Sequence, residues 1–242
     1  ARPKGEKSAM VAYGSPGYTL FADFGDTPCR GGLEFESQSL AYVVHRGTLW
    51  SINNAGVTTN RGSLLTTSGR VSMAHNGVQI MIVDGTYGYI YNTSTTVFAQ
   101  ITDVDFPASP LTVTYLAGYF DITILNSGRH YISAIREGLN WDALDFANAE
   151  SNPDDLSLTI ASAGQLLLFG PETTEFHGIS GAADFPFSQI QGTAAEWGLA
   201  ARWSLAKFDN TVAYLAKNRT GEVMVARMNG YLPKRISTDD MD

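Results

Sequence analysis

The 242-residue chain is poor in the residues that many kinds of protein chemistry require. It has one cysteine, Cys29, so neither an intramolecular disulfide nor a cysteine-built zinc site can form, a usage that suits a reducing cytoplasm. Sixteen lysines and arginines stand against 24 acids, giving a net charge of −8. That balance excludes a broad phosphate-binding surface, although a few local basic residues could still touch DNA. No apolar run approaches the roughly 18 residues of a membrane span, and no stretch here reads as a cleavable signal peptide. The chain starts at Ala1 and stops at "STDDMD" without a closing element, so the natural termini are expected to lie elsewhere. Helical periodicity is nearly absent. Only "NWDALDFANAE" (140–150) passes for a helical turn, and it reads as an irregular outer strand or loop.

What the chain does have is glycine, aromatic residues and short apolar runs. Twenty-four glycines and a hydrophobic content of 44% describe a turn-rich β protein with an ample core. The stretches 40–53, 78–92, 120–135, 165–179 and 211–228 share one plan: an apolar strand, a turn of Gly, Asn, Asp or Pro, and a return strand. With Leu49, Tyr89, Tyr131, Glu175 and Met224 taken as equivalent, the steps are 40, 42, 44 and 49 residues, the period of β-propeller blades. Flanking segments such as "RVSMAH", "TTVFAQI", "LSLTIASA", "FPFSQI", "GLAARWSLAKF" and "YLPKRI" complete the units to four strands. Val78–Val83 and Gln165–Phe169 are apolar on both faces, as strands between two neighbouring blades must be.

The expected fold is therefore an all-β propeller of four-stranded antiparallel blades. Five blades are visible over residues 18–242, with residues 1–17 as an N-terminal arm. "YTLFADF" (18–24) reads as a lone closing strand, apolar on both faces, with no three-strand partner after Ile236. A larger, six-bladed ring with its last blade outside these residues is preferred over a closed five-bladed one.

The search for chemistry assigns no catalytic, cofactor-binding or metal-binding residue. His45, His75, His130 and His177 lie more than five residues apart, so no short metal-ligand spacing exists, and they read as hairpin caps or partly buried donors. "HGISG" (177–181) is a fragment of a nucleophile elbow, but its Ser180 follows a hairpin rather than opening a helix. Asp103/Asp105, Asp154/Asp155 and Asp239/Asp240 are carboxylate pairs, and the first two fall in segments that read as turns. "GSPG" (14–17) has no lysine and no helix after it to make a phosphate loop. Aromatics do not recur at one place in each blade, as a sugar-stacking ring would need, so packing between blades is the expected role. Trp141, Leu144 and Phe146 exceed what a hairpin requires and are the candidate assembly interface.

"SGRVSMAHNG", "NWDALDFANAESNPDDL", "LLLFGPETTEFHGISGAADFPF", "LAARWSLAKFDNTVAYLAKNRTGEVMV" and "NGYLPKRIST", in that order, resemble the packaged-DNA stabilization proteins of short-tailed phages and their prophage relatives. "GSPGYTLFADFG" is similar to that family's opening segment, so the likeness spans about residues 14–238. The resemblance implies a virion tail or neck protein, assembled in the host cytoplasm, with no enzyme activity. It implies a ring, a hexamer by expectation, below the portal and adaptor proteins, which closes the DNA exit channel and carries a tail needle, fibre or spike. Packaged DNA would lie nearby, and an acidic lumen would let it leave cleanly. The competing classes are a carbohydrate-binding or glycoside-hydrolysing propeller and a peptide-binding scaffold propeller. The first calls for a ring of aromatics and acids at one mouth, the second for a repeated Trp-Asp closure; neither is present.

Overall fold

The computed structural model describes residues 17, 19–25, 28–149, 155–182 and 185–237. Blade one is β1 (Cys29–Phe35), β2 (Leu40–His45), β3 (Thr48–Asn53) and β4 (Thr58–Ser63). Blade two is β5 (Ser72–His75), β6 (Gln79–Val83), β7 (Gly88–Asn92) and β8 (Val97–Gln100). Blade three follows as β9 (Pro110–Leu116), β10 (Tyr119–Ile124), β11 (Arg129–Ala134) and β12 (Glu137–Asn148). Blade four is β13 (Leu158–Ser162), β14 (Gln165–Phe169), β15 (Thr174–Ile179) and β16 (Phe187–Gln189). Blade five has β17 (Gly198–Leu199), β18 (Ala206–Phe208), β19 (Thr211–Lys217), β20 (Val223–Asn229) and β21 (Leu232–Arg235). Each sheet is antiparallel in sequence order, and each of the five expected hairpins is its middle strand pair.

Local chemistry sets the turns. At Asp84-Gly85 the carboxylate Oδ1 accepts from the amides of Thr86 (2.9 Å) and Tyr87 (2.7 Å), and Gly85 takes φ +88°. This Asx-turn returns the chain from β6 to β7. In blade five the first strand is broken: β17 and β18 both pair β19, and a 3₁₀ turn at Arg202–Ser204 separates them. Gly198 is needed at that blade's entry, because a Cβ there would collide with the backbone of Pro171 and Glu172.

The core lies between blades rather than within them. Ile80 and Ile82 pack toward blade one with Tyr42, Val44 and Leu49, whereas Met81 and Val83 pack toward blade three with Phe120 and Ile122. Leu166 and Leu168 face blade three, and Leu167 and Phe169 face Tyr214 and Met224 of blade five. Fully burying each such side chain contributes about 1.5–3 kcal/mol. Strand β6 is consequently buried at every position, and β14 at all but its first. β19 instead alternates, with only Val212, Tyr214 and Ala216 buried, and in β2 Ala41 and Val43 stay half-exposed. A closed ring of five blades would have five interfaces; the described residues have four, leaving one face of blade one and one of blade five uncovered.

Register refines the expected equivalences. Tyr89, Tyr131 and Met224 face the preceding blade, and so does Glu175, whose neighbour Phe176 faces the following one. Leu49 faces blade two, so its neighbour Trp50 is the true counterpart, on the uncovered face of blade one. Residues 19–25 form no strand, in contrast to the closing strand expected over 18–24. Phe24 stacks on His45 at 5.5 Å and meets Trp50 at 5.8 Å, so ring burial on blade one's open face takes the place of backbone pairing. The segment 140–150 is, through residue 148, the irregular outer strand β12. Its register slips between its pairings to Tyr131, Ser133 and Ala134.

The two-sided core predicts unequal costs for one substitution. Leu167→Ala should destabilise the fold by about 2–5 kcal/mol, and Leu215→Ala, on the open face of blade five, by less than about half of that. Urea unfolding of both variants measures the difference, and equal losses would contradict an open face there.

Candidate functional site

The first strands β1, β5, β9 and β13 are neighbours of one another and line the centre, with β17 and β18 continuing the series in blade five. Hydroxyl groups tie them together: the Val113 amide donates to Ser72 Oγ (3.0 Å) and the Ala161 amide to Thr114 Oγ1 (2.9 Å). Their only acid is Glu34, against the bases Arg30 and Lys207. These strands therefore carry no excess of acid. Inner positions hold small hydroxyl residues that bond to the next blade, and among the described residues the acids other than Glu34, Asp121 of β10 and Glu175 of β15 lie outside the inner and middle strands.

At the end of the channel where the blade-to-blade connectors run, Arg30 joins three chain segments. Its Nε donates to Gly69 O (2.7 Å), Nη1 to Arg46 O and Thr66 O (both 2.8 Å), and Nη2 to Thr66 Oγ1 (2.8 Å). Thr66 Oγ1 donates on to Asp84 Oδ2 (2.5 Å), which also accepts from the Tyr89 hydroxyl (3.2 Å), while the Leu65 amide donates to that hydroxyl oxygen (3.0 Å). Burial lowers the Arg30 pKa, opposed by the charge of Asp84, and burial pushes the Tyr89 phenol up to about 12. Beside this network lies a cavity of about 780 Å³ lined by Pro28, Cys29, Arg30, Arg46 and Thr67–Arg70. The Arg70 guanidinium sits 5.6 Å from the ring centroid of Trp203, which belongs to blade five.

A second polar cluster lies inside the interface of blades three and four. His130 Nδ1 is 2.5 Å from Asp121 Oδ2, and Thr159 Oγ1 donates to Asp121 Oδ1 (2.7 Å). His177 Nε2 is 3.3 Å from Glu175 Oε2, and the two imidazole centroids are 5.4 Å apart. Asp121 and His130 are wholly inaccessible, with Phe185 against the His130 ring, so no substrate can reach these groups. Sequence spacing did not bring His130 and His177 together; the available signal was Asp121, an acid inside the apolar strand "FDITI". His45 is buried under Phe24, and His75 meets Phe35 at 4.7 Å with its pKa lowered by burial and then by Lys207.

The three candidate interface residues take different positions on β12. Trp141 is 7% exposed; its Nε1 donates to Gly138 O (2.9 Å) and its ring meets Phe106 edge-on at 5.0 Å. Phe146 is half-buried beside Tyr131, with the Arg129 guanidinium 4.4 Å above its ring. Leu144 is 81% exposed on the bulge, where its amide donates to Asp142 Oδ1 (2.9 Å). Asp103 accepts from the amides of Asp105 and Trp141 (both 3.0 Å), and these bonds lower its pKa. Ser180 is exposed and its hydroxyl contacts backbone of its own loop, Phe185 O and the Ala182 amide. Asp154, Asp239 and Asp240 lie outside the described residues. No group of three or more His, Cys, Asp or Glu side chains able to hold a metal occurs among the described residues.

A family model described as bacteriophage P22 Gp10, β-propeller, matches residues 2–242. No curated protein matches. Among solved structures, the extracellular domain described as that of a hybrid two-component system from B. thetaiotaomicron superposes with a TM-score of 0.60 at 11% identity over 93% of this chain. A second structure, described as the extracellular domain of a one-component system from the same organism, gives 0.60 and 11% over 92%. The chain spans 30% of the length of either solved chain, and at this identity the likeness is one of fold alone.

The phenols give a pH prediction. Burial raises the pKa of Tyr42, Tyr89, Tyr115 and Tyr214, so each prefers its neutral form when folded. Their stabilisation is complete below the unfolded value of about 10 and is lost as pH rises through the folded values. Tyr89→Phe should lower stability near pH 7 by about 1–2 kcal/mol, through lost hydrogen bonds, yet lose less than wild type between about pH 10 and 12. Unfolding curves across that range test the crossover; parallel pH profiles would contradict it.

Proposed function

The chain belongs to the phage packaged-DNA stabilisation family of β-propellers, and from that premise we propose that it acts as a ring-forming component of the virion neck. It is a structural phage protein; as a proposal, copies assemble in the host cytoplasm as a hexamer below the portal and adaptor proteins. There they narrow the DNA exit channel and carry the tail needle, fibre or spike. Residues 18–242 form the propeller body in this reading, and residues 1–17 an arm. The single observation that carries the reading is the family match over residues 2–242.

Geometry adds a physical basis for the assembly role. Interlocked blades make a stiff body, and the load of confined DNA is borne best by many modest contacts repeated around a symmetric ring. β12 supplies such a contact. Its bulge carries Leu144 outward between Asp142 and Asp145, while Trp141 anchors the same strand in the core of blades two and three. Bulges at sheet edges redirect side chains in this way, and an exposed leucine with nearby Ile135 is an apolar patch for a partner.

The three residues should therefore separate on substitution. Leu144→Asp should leave the melting temperature within about 2 °C of wild type and abolish incorporation into particles. Trp141→Ala should cost about 3–5 kcal/mol of folding stability, because it empties a packed site. Phe146→Asp should weaken both folding and assembly. Normal DNA-filled virions carrying Leu144→Asp would overturn the assignment of β12 as the interface.

A further inference from the structure

A cavity of about 560 Å³ opens between blades two and three, at the end of the sheets opposite the connectors. Asn76, Gln79 and Asn92 come from blade two, and Tyr115, Arg136 and Glu137 from blade three. Val78, 44% exposed, is its apolar side. Both blades are described without a break over residues 28–149. A hydrogen-bonded frame holds the wall. Asn76 Oδ1 accepts from the amides of Val78 (2.9 Å) and Gln79 (2.7 Å). Gln79, 6% exposed, donates from Nε2 to Glu137 Oε1 (2.9 Å) and accepts at Oε1 from the Gly138 amide (3.0 Å) and Asn76 Nδ2 (3.3 Å). The Leu139 amide donates to the same Glu137 Oε1 (3.1 Å). The Arg136 amide donates to Gly118 O (2.6 Å), and its carbonyl accepts from Asn76 Nδ2 (3.4 Å). Three groups are left over. Among the described residues the Arg136 guanidinium, the Tyr115 hydroxyl and Glu137 Oε2 have no hydrogen-bond partner, and Arg136 makes no ion pair. Burial raises the Tyr115 pKa against the opposing charge of Arg136, so the phenol keeps a proton to donate.

We propose that this cavity binds an acidic peptide segment of a partner protein, with Arg136 and Tyr115 holding its carboxylate and Glu137 accepting one of its backbone N–H groups. Gln79 is the positioning residue, because its amide fixes one oxygen of Glu137 and leaves the other to the ligand. The leftover groups select the ligand class. A guanidinium offers paired N–H donors that match a carboxylate in charge and geometry, and the phenol adds a third donor. Glu137 Oε2 asks for a donor within the same ligand. A peptide supplies both, an acceptor on its acidic side chain and a donor on its backbone. Phosphodiester oxygens only accept, so a nucleic acid would leave Glu137 unanswered and meet its like charge. A free anion has the same defect. Val78 gives an apolar neighbour of the acid a surface to rest on, and a cavity of this size is ordinary for a small ligand.

The site is tested on the full chain in solution, independently of the neck-ring reading. The probe is a fluorescently labelled pentapeptide with blocked ends and an aspartate between two leucines, followed by anisotropy. Wild type should bind it saturably, and the Arg136 Nε–H signal in NMR spectra should shift as it binds. The same peptide with asparagine in place of aspartate should bind about tenfold more weakly or worse, and Arg136→Gln should lose as much. Tyr115→Phe should cost about two- to tenfold. Acetate, inorganic phosphate and a duplex of about 20 base pairs should each bind at least about tenfold more weakly than the peptide. Glu137→Gln removes the acceptor and the like charge together, so the preference for peptide over acetate should fall about threefold or more. Arg136 is exposed on a turn, and its variant should melt within about 2 °C of wild type. Should it unfold, the Arg136 signal in wild type and the loss in Tyr115→Phe decide the matter. No peptide binding, equal binding of the asparagine peptide, or affinity indifferent to Arg136→Gln overturns the site. Phosphate or duplex binding as tight as the peptide, or an unchanged preference in Glu137→Gln, overturns the peptide assignment.

Discussion

Face-to-face packing of neighbouring sheets is the constraint on which the rest of this structure depends. A middle strand such as β6 is apolar on both sides because a different blade covers each side, and it cannot be stable in an isolated sheet. Each blade therefore depends on its neighbours for its core, as repeats do in any stacked architecture. The same constraint explains the ends of the series. In β19 and β20 burial alternates, and in β2 it does so up to Val44, because these strands meet a neighbouring blade on one side only. On blade one, Phe24 covers part of the face that no blade covers.

Most polar side chains in these interfaces are paired, although the second ring nitrogens of His130 and His177 are buried without a hydrogen-bond partner among the described residues. Ser72 and Thr114 bridge successive first strands, and Asp121 is satisfied by His130 and Thr159 across the join of blades three and four. An uncompensated buried carboxylate would cost several kcal/mol, roughly, so the cluster also fixes the alignment of the two sheets. The network from Arg30 through Thr66 and Asp84 to Tyr89 does the same for blades one and two. Both sets act as registration devices in a core that apolar packing alone would leave free to slide.

Charge is distributed by layer. The inner strands hold two bases and one acid, so among the described residues the excess of acids over bases lies elsewhere, on turns, connectors and outer strands. Within one blade the first strand lines the centre, and the last, as in β12, carries an exposed apolar side chain outward on a bulge.

The amino-acid sequence determined the repeating unit. Alternation and turn residues marked all five hairpins, because the period-two pattern and the Asp-Gly, Asn and Gly turns are local properties. Strings such as "LLLFGPETTEFHGISG" carried the family likeness, and the doubly apolar runs announced that blades would be stacked. Tertiary structure decided everything that depends on which face meets which neighbour. Leu49 and Trp50 are adjacent and both apolar, so only the register shows that Trp50 is the counterpart of Tyr89. Trp141, Leu144 and Phe146 look alike in a row, yet a bulge sends one inward and one to solvent. His130 and His177, and likewise Arg30, Arg46 and Arg70, are distant in sequence and meet only because blades and connectors close on one another. Local pattern encodes strands and turns through nearest-neighbour geometry, whereas sites are made by contacts between blades, which no short stretch of sequence contains.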